Sequence, residues 1–443
     1  MILKGDDIAK FFFILSLSLT ILGGTFWFGA YAQKNSLPPI PQLRLVYNSV
    51  MEVVAPSDRV LKTTTDRKAS RYKTAIETRL QDQLAPGLVL VAGDIESRQT
   101  RITVMDRSGT VVHSWEPSWT GIWPEGEGIF PEGRRPVEGM YIHGLDILPS
   151  GDIVANFEHL STFRLNVCGE VKWKLDNLGH HSVYFASDQT LWVASEKYIE
   201  KDPTGYPNHN APLRSWILQN LDLDGNVLRE IDVIDIFVRS DLMGLLYNST
   251  LINGSPLVSG DTLHLNDIES FPASLRSTVF NAGDLLISLR NINAVFVIDP
   301  ESLQIKFRSI GGFVRQHDPD FGPNDRITVF DNKSYPSKSS DLYSSRIVEI
   351  DATNGSTVSV LDGDGADPFY TEIMGTHQRL PNGNYLVTSS GEGRVMEFTS
   401  QGDLAWRFDN RQQGENLRVY AAMVLPPSMD KAFFKNKKKE CTI

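Results

Sequence analysis

The stretch His143-Gly-Leu-Asp-Ile-Leu-Pro-Ser-Gly-Asp-Ile-Val154 decides the fold, because the chain repeats its plan. His181-Ser-Val-Tyr-Phe-Ala-Ser-Asp-Gln-Thr-Leu-Trp192 and His317-Asp-Pro-Asp-Phe-Gly-Pro-Asn-Asp-Arg-Ile-Thr328 have the same form, each histidine standing ten positions before the first apolar residue of the next strand. A fourth copy opens at His264-Leu-Asn266-Asp-Ile, with residues 271–280 inserted before Asp284-Leu-Leu-Ile-Ser288. A fifth, Thr376-His377-Gln-Arg-Leu-Pro-Asn-Gly-Asn-Tyr-Leu-Val387, carries its histidine two positions later, which on a strand is the same face. Imidazoles at one equivalent place in unit after unit imply a shared site.

The second half of each unit reads strand, tight polar turn, strand. Met105-Asp-Arg-Ser-Gly-Thr110, Leu165-Asn-Val-Cys-Gly-Glu170, Leu221-Asp-Leu-Asp-Gly-Asn226, Ile298-Asp-Pro-Glu-Ser302, Ile350-Asp-Ala-Thr-Asn-Gly355 and Phe398-Thr-Ser-Gln-Gly-Asp403 supply six such turns. Their Asp, Asn, Ser and Gly residues provide the turn chemistry, and the flanks alternate as half-buried strands do. Six units of four short strands predict an all-β, six-bladed propeller. The first unit, from Gly87, lacks its His-led strand. Val419-Tyr-Ala-Ala-Met-Val-Leu425 aligns with the inner strands, so this C-terminal segment is expected to complete the first blade, leave no free edge, and bring Tyr420 to the axis.

The expected organisation is an apolar segment at 1–33, a charged, helix-compatible stalk at 34–85, the propeller at 86–425, and a basic, solvated tail at 426–443. Residues 11–32 are almost continuously apolar and long enough to span a bilayer. The Ala30-Tyr31-Ala32 form also suits a cleaved signal peptide; the aromatic run Phe26-Trp27-Phe28 favours an uncleaved anchor, with the propeller outside the cytoplasm. A net charge of −11 without a basic stripe in the repeats argues against nucleic acid as a partner. With two cysteines there is neither a disulfide framework nor a thiolate metal cage. One bridge, Cys168 to Cys441, is open to them, but nothing in the sequence supports it.

Two chemistries compete for the axial histidines. Three or more converging imidazoles suit zinc or copper. An anion would instead call for a permanent cation, and Arg290 lies on the strand after His264. A guanidinium repels a metal dication and donates two hydrogen bonds to sulfate or phosphate oxygens, which favours the anion.

These residues also resemble the arylsulfotransferase family. The resemblance is carried by Val314-Arg-Gln-His317-Asp-Pro-Asp320 with Ile327-Thr-Val-Phe-Asp-Asn332, by Leu263-His264-Leu-Asn-Asp267 followed by Leu286-Ile-Ser-Leu-Arg290, and by Gln378-Arg-Leu-Pro-Asn-Gly-Asn384. It implies a six-bladed propeller that moves a sulfuryl group from an aryl sulfate ester to a phenol, without a nucleotide sulfate donor and without a metal or organic cofactor. Carried over by motif, His317 is the nucleophile that becomes sulfated, and His264 and Arg290 hold the sulfuryl oxygens. His181 matches the remaining family histidine, with His180 as the alternative, since strand alternation turns only one of the pair inward. One of His181 or His264, protonated, would serve the leaving phenolate. His143, His377, Asn266 and Tyr420 are candidate substrate contacts. Three other readings stay open: a non-catalytic binding module, a sulfate-ester hydrolase, and a metal-dependent enzyme using the same histidines.

Overall fold

The computed structural model describes residues 5–34, 68–69, 72–96, 99–124, 141–199, 209, 211–247, 260–334 and 344–441. Six antiparallel sheets form the propeller blades. Blades two to five each use four consecutive strands, and their innermost strands are Ile142–Ile147, Val183–Phe185, Leu265–Ser270 and His317–Gly322. In blade six Thr376–Arg379 lies innermost, and Ile76–Thr78 adds a fifth, outer strand against Leu404–Asp409. The helix-compatible stretch expected through residue 84 is therefore partly strand. Ile76 packs on the core between blades six and one, and this burial outweighs helix propensity.

Ring closure follows the sequence expectation. Val419–Val424 pairs antiparallel with Val89–Glu96, from Val419 opposite Gly93 to Val424 opposite Val89, and becomes the inner strand of blade one. The core lies between blades. Trp115, Phe157 and Phe163 belong to one cluster, Trp216, Phe237 and Phe296 to a second, and Phe330, Phe369 and Phe398 to a third.

The C-terminus departs from the expected solvated tail. Asp430 caps a helix, Lys431–Glu440, by accepting a hydrogen bond from the Phe433 amide. Phe434 is fully buried and stacks on His113 at 5.6 Å, so one aromatic side chain docks the helix while its lysines remain in water. Cys441 then forms a disulfide with Cys168, in a blade-two turn, and ties the helix down covalently.

The first 64 residues form a separate unit. Gly5–Lys34 is a helix, yet among the described residues no helix is long and apolar enough to cross a membrane. The expected membrane anchor is therefore not supported. Most of the expected stalk, residues 35–67, lies outside the described residues.

Candidate active site

The inner strands converge on a cavity of about 100 Å³. Four of them carry an irregular register beside it: between Ile142 and Leu145, Leu265 and Asp267, His317 and Asp320, and Val419 and Ala421. Each irregularity brackets residues that line the cavity, among them Gly144, Asn266, Asp318 and Tyr420. A bulge turns a side chain out of strict alternation, and here it aims these groups at the axis. Gly144 has φ +104°, and a Cβ there would overlap the His181 carbonyl oxygen. Glycine thus lets the two strands approach until the His143 and His181 rings lie 3.7 Å apart between centroids.

Five of the expected histidines meet here. His181 stands 3.9 Å from His180 and 5.6 Å from His317 between ring centroids, and its Nε2 is 3.2 Å from His264 Nε2. His180 Nε2 is 3.5 Å from the same atom. His180 and His181 therefore both face the cluster, contrary to the expectation that only one would. They precede the strand that starts at Val183, and His181 is left-handed at φ +55°, so strand alternation does not govern them. His159 and His264 share that φ. Left-handed backbone at three non-glycine residues of one cluster is strain concentrated where function is expected.

Burial sets the charge of these rings. It pushes His317 down to about 3, with the Arg290 charge as the next cause, and His264 down to about 4 against the opposing pull of Asp261. His143, His180 and His181 are also held well below the usual histidine range by burial and by one another. All five are neutral at neutral pH. At neutral pH this disfavours the proton expected on His181 or His264, because closely packed imidazoles out of water cannot share positive charge cheaply.

His317 is locked in one tautomer. Its Nδ1 lies 2.8 Å from Asn332 Oδ1 and 3.1 Å from the Arg315 carbonyl. The Asn332 amide donates to the carbonyls of Thr371 and Met374, which fixes its oxygen toward the ring. Both neighbours of Nδ1 accept, so Nδ1 carries the hydrogen and Nε2 keeps its lone pair. The Met374 N–H approaches Nε2 at 3.3 Å.

Arg290 follows the strand Leu285–Leu289 and is held by a backbone bond to the His264 carbonyl at 3.0 Å. Its Nε donates to Asn291 Oδ1 at 3.3 Å, and among the described residues no carboxylate lies within ion-pair distance of it. Burial and the nearby Arg315 bring it down to about 10, so it remains a cation at neutral pH. A half-buried guanidinium without a carboxylate invites an anion.

Tyr420 lines the cavity, donates to Asp94 at 2.6 Å and stacks on Tyr141 at 5.1 Å. Asn266 lines it too, and its amide donates to the Gln316 carbonyl at 2.7 Å. His377 does not join the cluster. Its Nδ1 lies 2.9 Å from Asp318 and its Nε2 2.8 Å from the Thr328 hydroxyl, so both ring nitrogens are engaged elsewhere. Three participants had no role in the sequence reading. Asp261 holds His264 Nδ1 at 2.6 Å, His159 stacks on His180 at 3.6 Å, and Trp216 covers His180 and His264 at 5.3 and 5.2 Å. His159 sits in a turn of blade two rather than before an inner strand, so the repeat carries no signal for it. The adjacent pair Glu158-His159 at a strand end was the available hint.

A family model described as Arylsulfotransferase (ASST) matches residues 144–411, which contain all five histidine-led strands except His143 itself. No curated protein matches the chain in sequence. Among solved structures, a Bacteroides caccae protein of unknown function is similar at 12% identity and TM-score 0.47, covering 75% of this chain and 97% of its own. Kuenenia stuttgartiensis hydrazine synthase is similar at 13% identity and TM-score 0.40, covering 75% and 79%. A virginiamycin B lyase from Staphylococcus aureus is similar at 11% identity and TM-score 0.33, covering 60% and 69%. At such values these likenesses bear on neither activity nor substrate.

Proposed function

Because the chain belongs to the arylsulfotransferase family, we propose that it passes the sulfuryl group of an aryl sulfate ester to a phenol, with His317 carrying the group between them. The observation that carries the reading is a neutral, tautomer-locked His317, whose Nε2 lone pair meets only a long bond from the Met374 N–H, beside the cation Arg290, which forms no ion pair among the described residues. Nε2 attacks sulfur in line, the bond from sulfur to the aryl oxygen breaks, and phenolate leaves. A second phenol attacks the sulfohistidine, the nitrogen–sulfur bond breaks, and His317 is restored. Arg290 offers two parallel hydrogen bonds to sulfuryl oxygens, whose charge shifts during transfer. Neutral His264 turns its N–H to Asp261 and keeps a lone pair on Nε2, 3.2 Å from His181 Nε2, so the two rings can take up and hand on a proton without a fixed positive charge. Protons pass through them between the leaving phenolate and the incoming phenol.

The Cys168–Cys441 bridge supports placing the propeller in an oxidising, extracytoplasmic compartment, where such bonds persist. The test is to quench the protein with an aryl sulfate in the absence of phenol and map the adduct. A sulfuryl group on the peptide containing His317, discharged by added phenol and absent from His317→Ala, is the expected result. An adduct on another histidine would reassign the nucleophile, and free sulfate with no dependence on phenol would make the protein a hydrolase.

A further inference from the structure

Behind the imidazole cluster one arginine meets two buried carboxylates, and each carboxylate holds a ring. Arg214 Nε lies 3.0 Å from Glu196 Oε2, and its Nη1 lies 3.6 Å from Asp261 Oδ2. Glu196 Oε1 meets His159 Nδ1 at 2.9 Å, and Asp261 Oδ2 meets His264 Nδ1 at 2.6 Å. The Trp216 indole donates to Asp261 Oδ1 at 3.1 Å, and the Arg214 guanidinium carbon stands 5.6 Å from the centre of that indole. One guanidinium against two carboxylates leaves this group a negative charge in surplus, in a place where burial makes an unbalanced charge costly. A proton on His264 balances it.

The tautomers give the group a direction. An ionised carboxylate only accepts, so His264 carries its hydrogen on Nδ1 and keeps the lone pair on Nε2. Burial by itself would raise the Asp261 carboxyl; His264, Arg214 and Arg290 outweigh burial and hold it well below the usual carboxylate range. His181 Nε2, at 3.2 Å, is nearer to the His264 lone pair than His180 Nε2 at 3.5 Å, so His181 donates there and keeps its own lone pair on Nδ1. His181 lines the cavity together with His317, and His264 stands behind it. A proton taken up at His181 Nδ1 can therefore leave from His181 Nε2 to His264 Nε2 and come to rest beside Asp261. His264 is also the less depressed of the two rings, at about 4 against about 3 for His317; burial lowers both, and Asp261 is the largest opposing influence at His264.

Resting on the sulfuryl transfer described above, we propose that Asp261 and Arg214 are positioning residues that make His264 the resting place of the acceptor's proton, and that they extend the acceptors of this chain to phenols that stay protonated at neutral pH. The phenol O–H bond breaks as its proton passes to His181 Nδ1, and His181 gives its Nε2 proton to His264 Nε2. The phenolate oxygen forms a bond to sulfur while the nitrogen–sulfur bond breaks, and His317 Nε2 recovers the electron pair. The same path, run backwards, returns a proton to the phenolate that leaves in the loading step. An acceptor that is already ionised has no proton to give and makes no use of the path.

The tautomer is read first, on the full chain without substrate, from two-bond proton–nitrogen couplings of isotope-labelled histidine, with His264 assigned by its loss in His264→Gln. Wild type should show the hydrogen on Nδ1. In Asp261→Asn the amide oxygen stays with the Trp216 N–H and the amide nitrogen turns to His264, so the hydrogen should move to Nε2. Protein loaded with an aryl sulfate is then mixed with phenol, or with para-nitrophenol at a pH where that acceptor is ionised, and discharge of the adduct is followed. Asp261→Asn should slow discharge by phenol at least about a hundredfold, the usual range for lost acid–base catalysis, and discharge by the ionised acceptor less than about threefold. His264→Gln should show the same pattern, so the test does not rest on one variant folding. A wild-type ring with its hydrogen on Nε2, or variants slowed equally with both acceptors or with neither, would overturn the proposal while leaving sulfuryl transfer in place. A wild type that shows the Nδ1–H ring yet forms no sulfuryl adduct would sink the sulfuryl reading itself, and the acceptor role with it.

Discussion

The pH dependence of transfer offers the sharpest test of His317. An ordinary imidazole titrates near 6.5, so at pH 5 only about 3% of it would be neutral and a nucleophile would lose about 30-fold in rate. His317 is held at about 3, first by burial and then by Arg290. At pH 5 about 99% of such a group remains neutral, and kcat/KM, which reports the free enzyme, should show no acid limb from this residue between pH 8 and 5. Arg290→Met removes the second cause and leaves the first. The limb should then move up in pH yet stay below 6.5, on top of a lower plateau. The assay is release of phenol from an aryl sulfate with saturating acceptor, with circular dichroism at each pH to establish that the fold persists. A wild-type limb centred near 6.5 would refute the reasoning. So would a limb that Arg290→Met leaves in place, because Arg290 would then not act on the reacting nitrogen.

Three further outcomes follow from the same geometry. Arg290→Lys should lower kcat/KM at least tenfold and Arg290→Met further, since an ammonium keeps the charge but not the planar fork; a near-normal Lys variant would make bidentate binding irrelevant. Burial raises Asp94 to about 7, so the folded chain binds a proton there between its unfolded value near 3.8 and pH 7, and the associated stability is lost as pH rises through that window. Asp94→Asn, which can still accept from Tyr420, should therefore unfold at higher denaturant than wild type at pH 8 and at a similar concentration at pH 4; a difference independent of pH would count against a buried charge. Phe434→Ala should cost roughly 3–5 kcal/mol by denaturant unfolding, the usual range for a buried aromatic, and a loss under about 1 kcal/mol would mean the C-terminal helix is not docked in solution.

The blades were legible because each depends on local chemistry. The turns at Asp106, Asn166, Asp222, Asp299 and Asp351 accept backbone N–H groups at short range, so their residues announce them. Closure by Val419–Val424 was legible because an inner strand was missing at one end of the chain and in surplus at the other. The histidine cluster followed from equivalent positions. Its details did not, because they depend on departures from the repeat. His180 and His181 both turn inward where the chain is not yet strand, and His377, two positions past the repeat position, turns to Asp318 and Thr328. His159 and Glu158 come from the turn between the second and third strands of blade two, the place that Arg290 takes in blade four, and not from the histidine position of the repeat. The expected tail became a helix through Phe434, a single burial that a run of lysines masks in any average over composition.

The Cys168–Cys441 bridge changes what loss of the seam would mean. The two cysteines are 273 positions apart in sequence, so the bridge draws the outer strand of blade two, blades three to six and the closing strand into one covalent loop. In a chain-entropy account, a loop of that size removes about 5–6 kcal/mol from the freedom of the unfolded chain. If Val419–Val424 peels from blade one, its far end stays fixed to blade two, and the strand returns from an effective concentration in the millimolar range. The seam then behaves as a hinged flap rather than a free end. Reductant becomes the trigger that converts brief, reversible fraying into lasting opening, and the lifetime of the protein outside an oxidising medium becomes a question of kinetics more than of equilibrium.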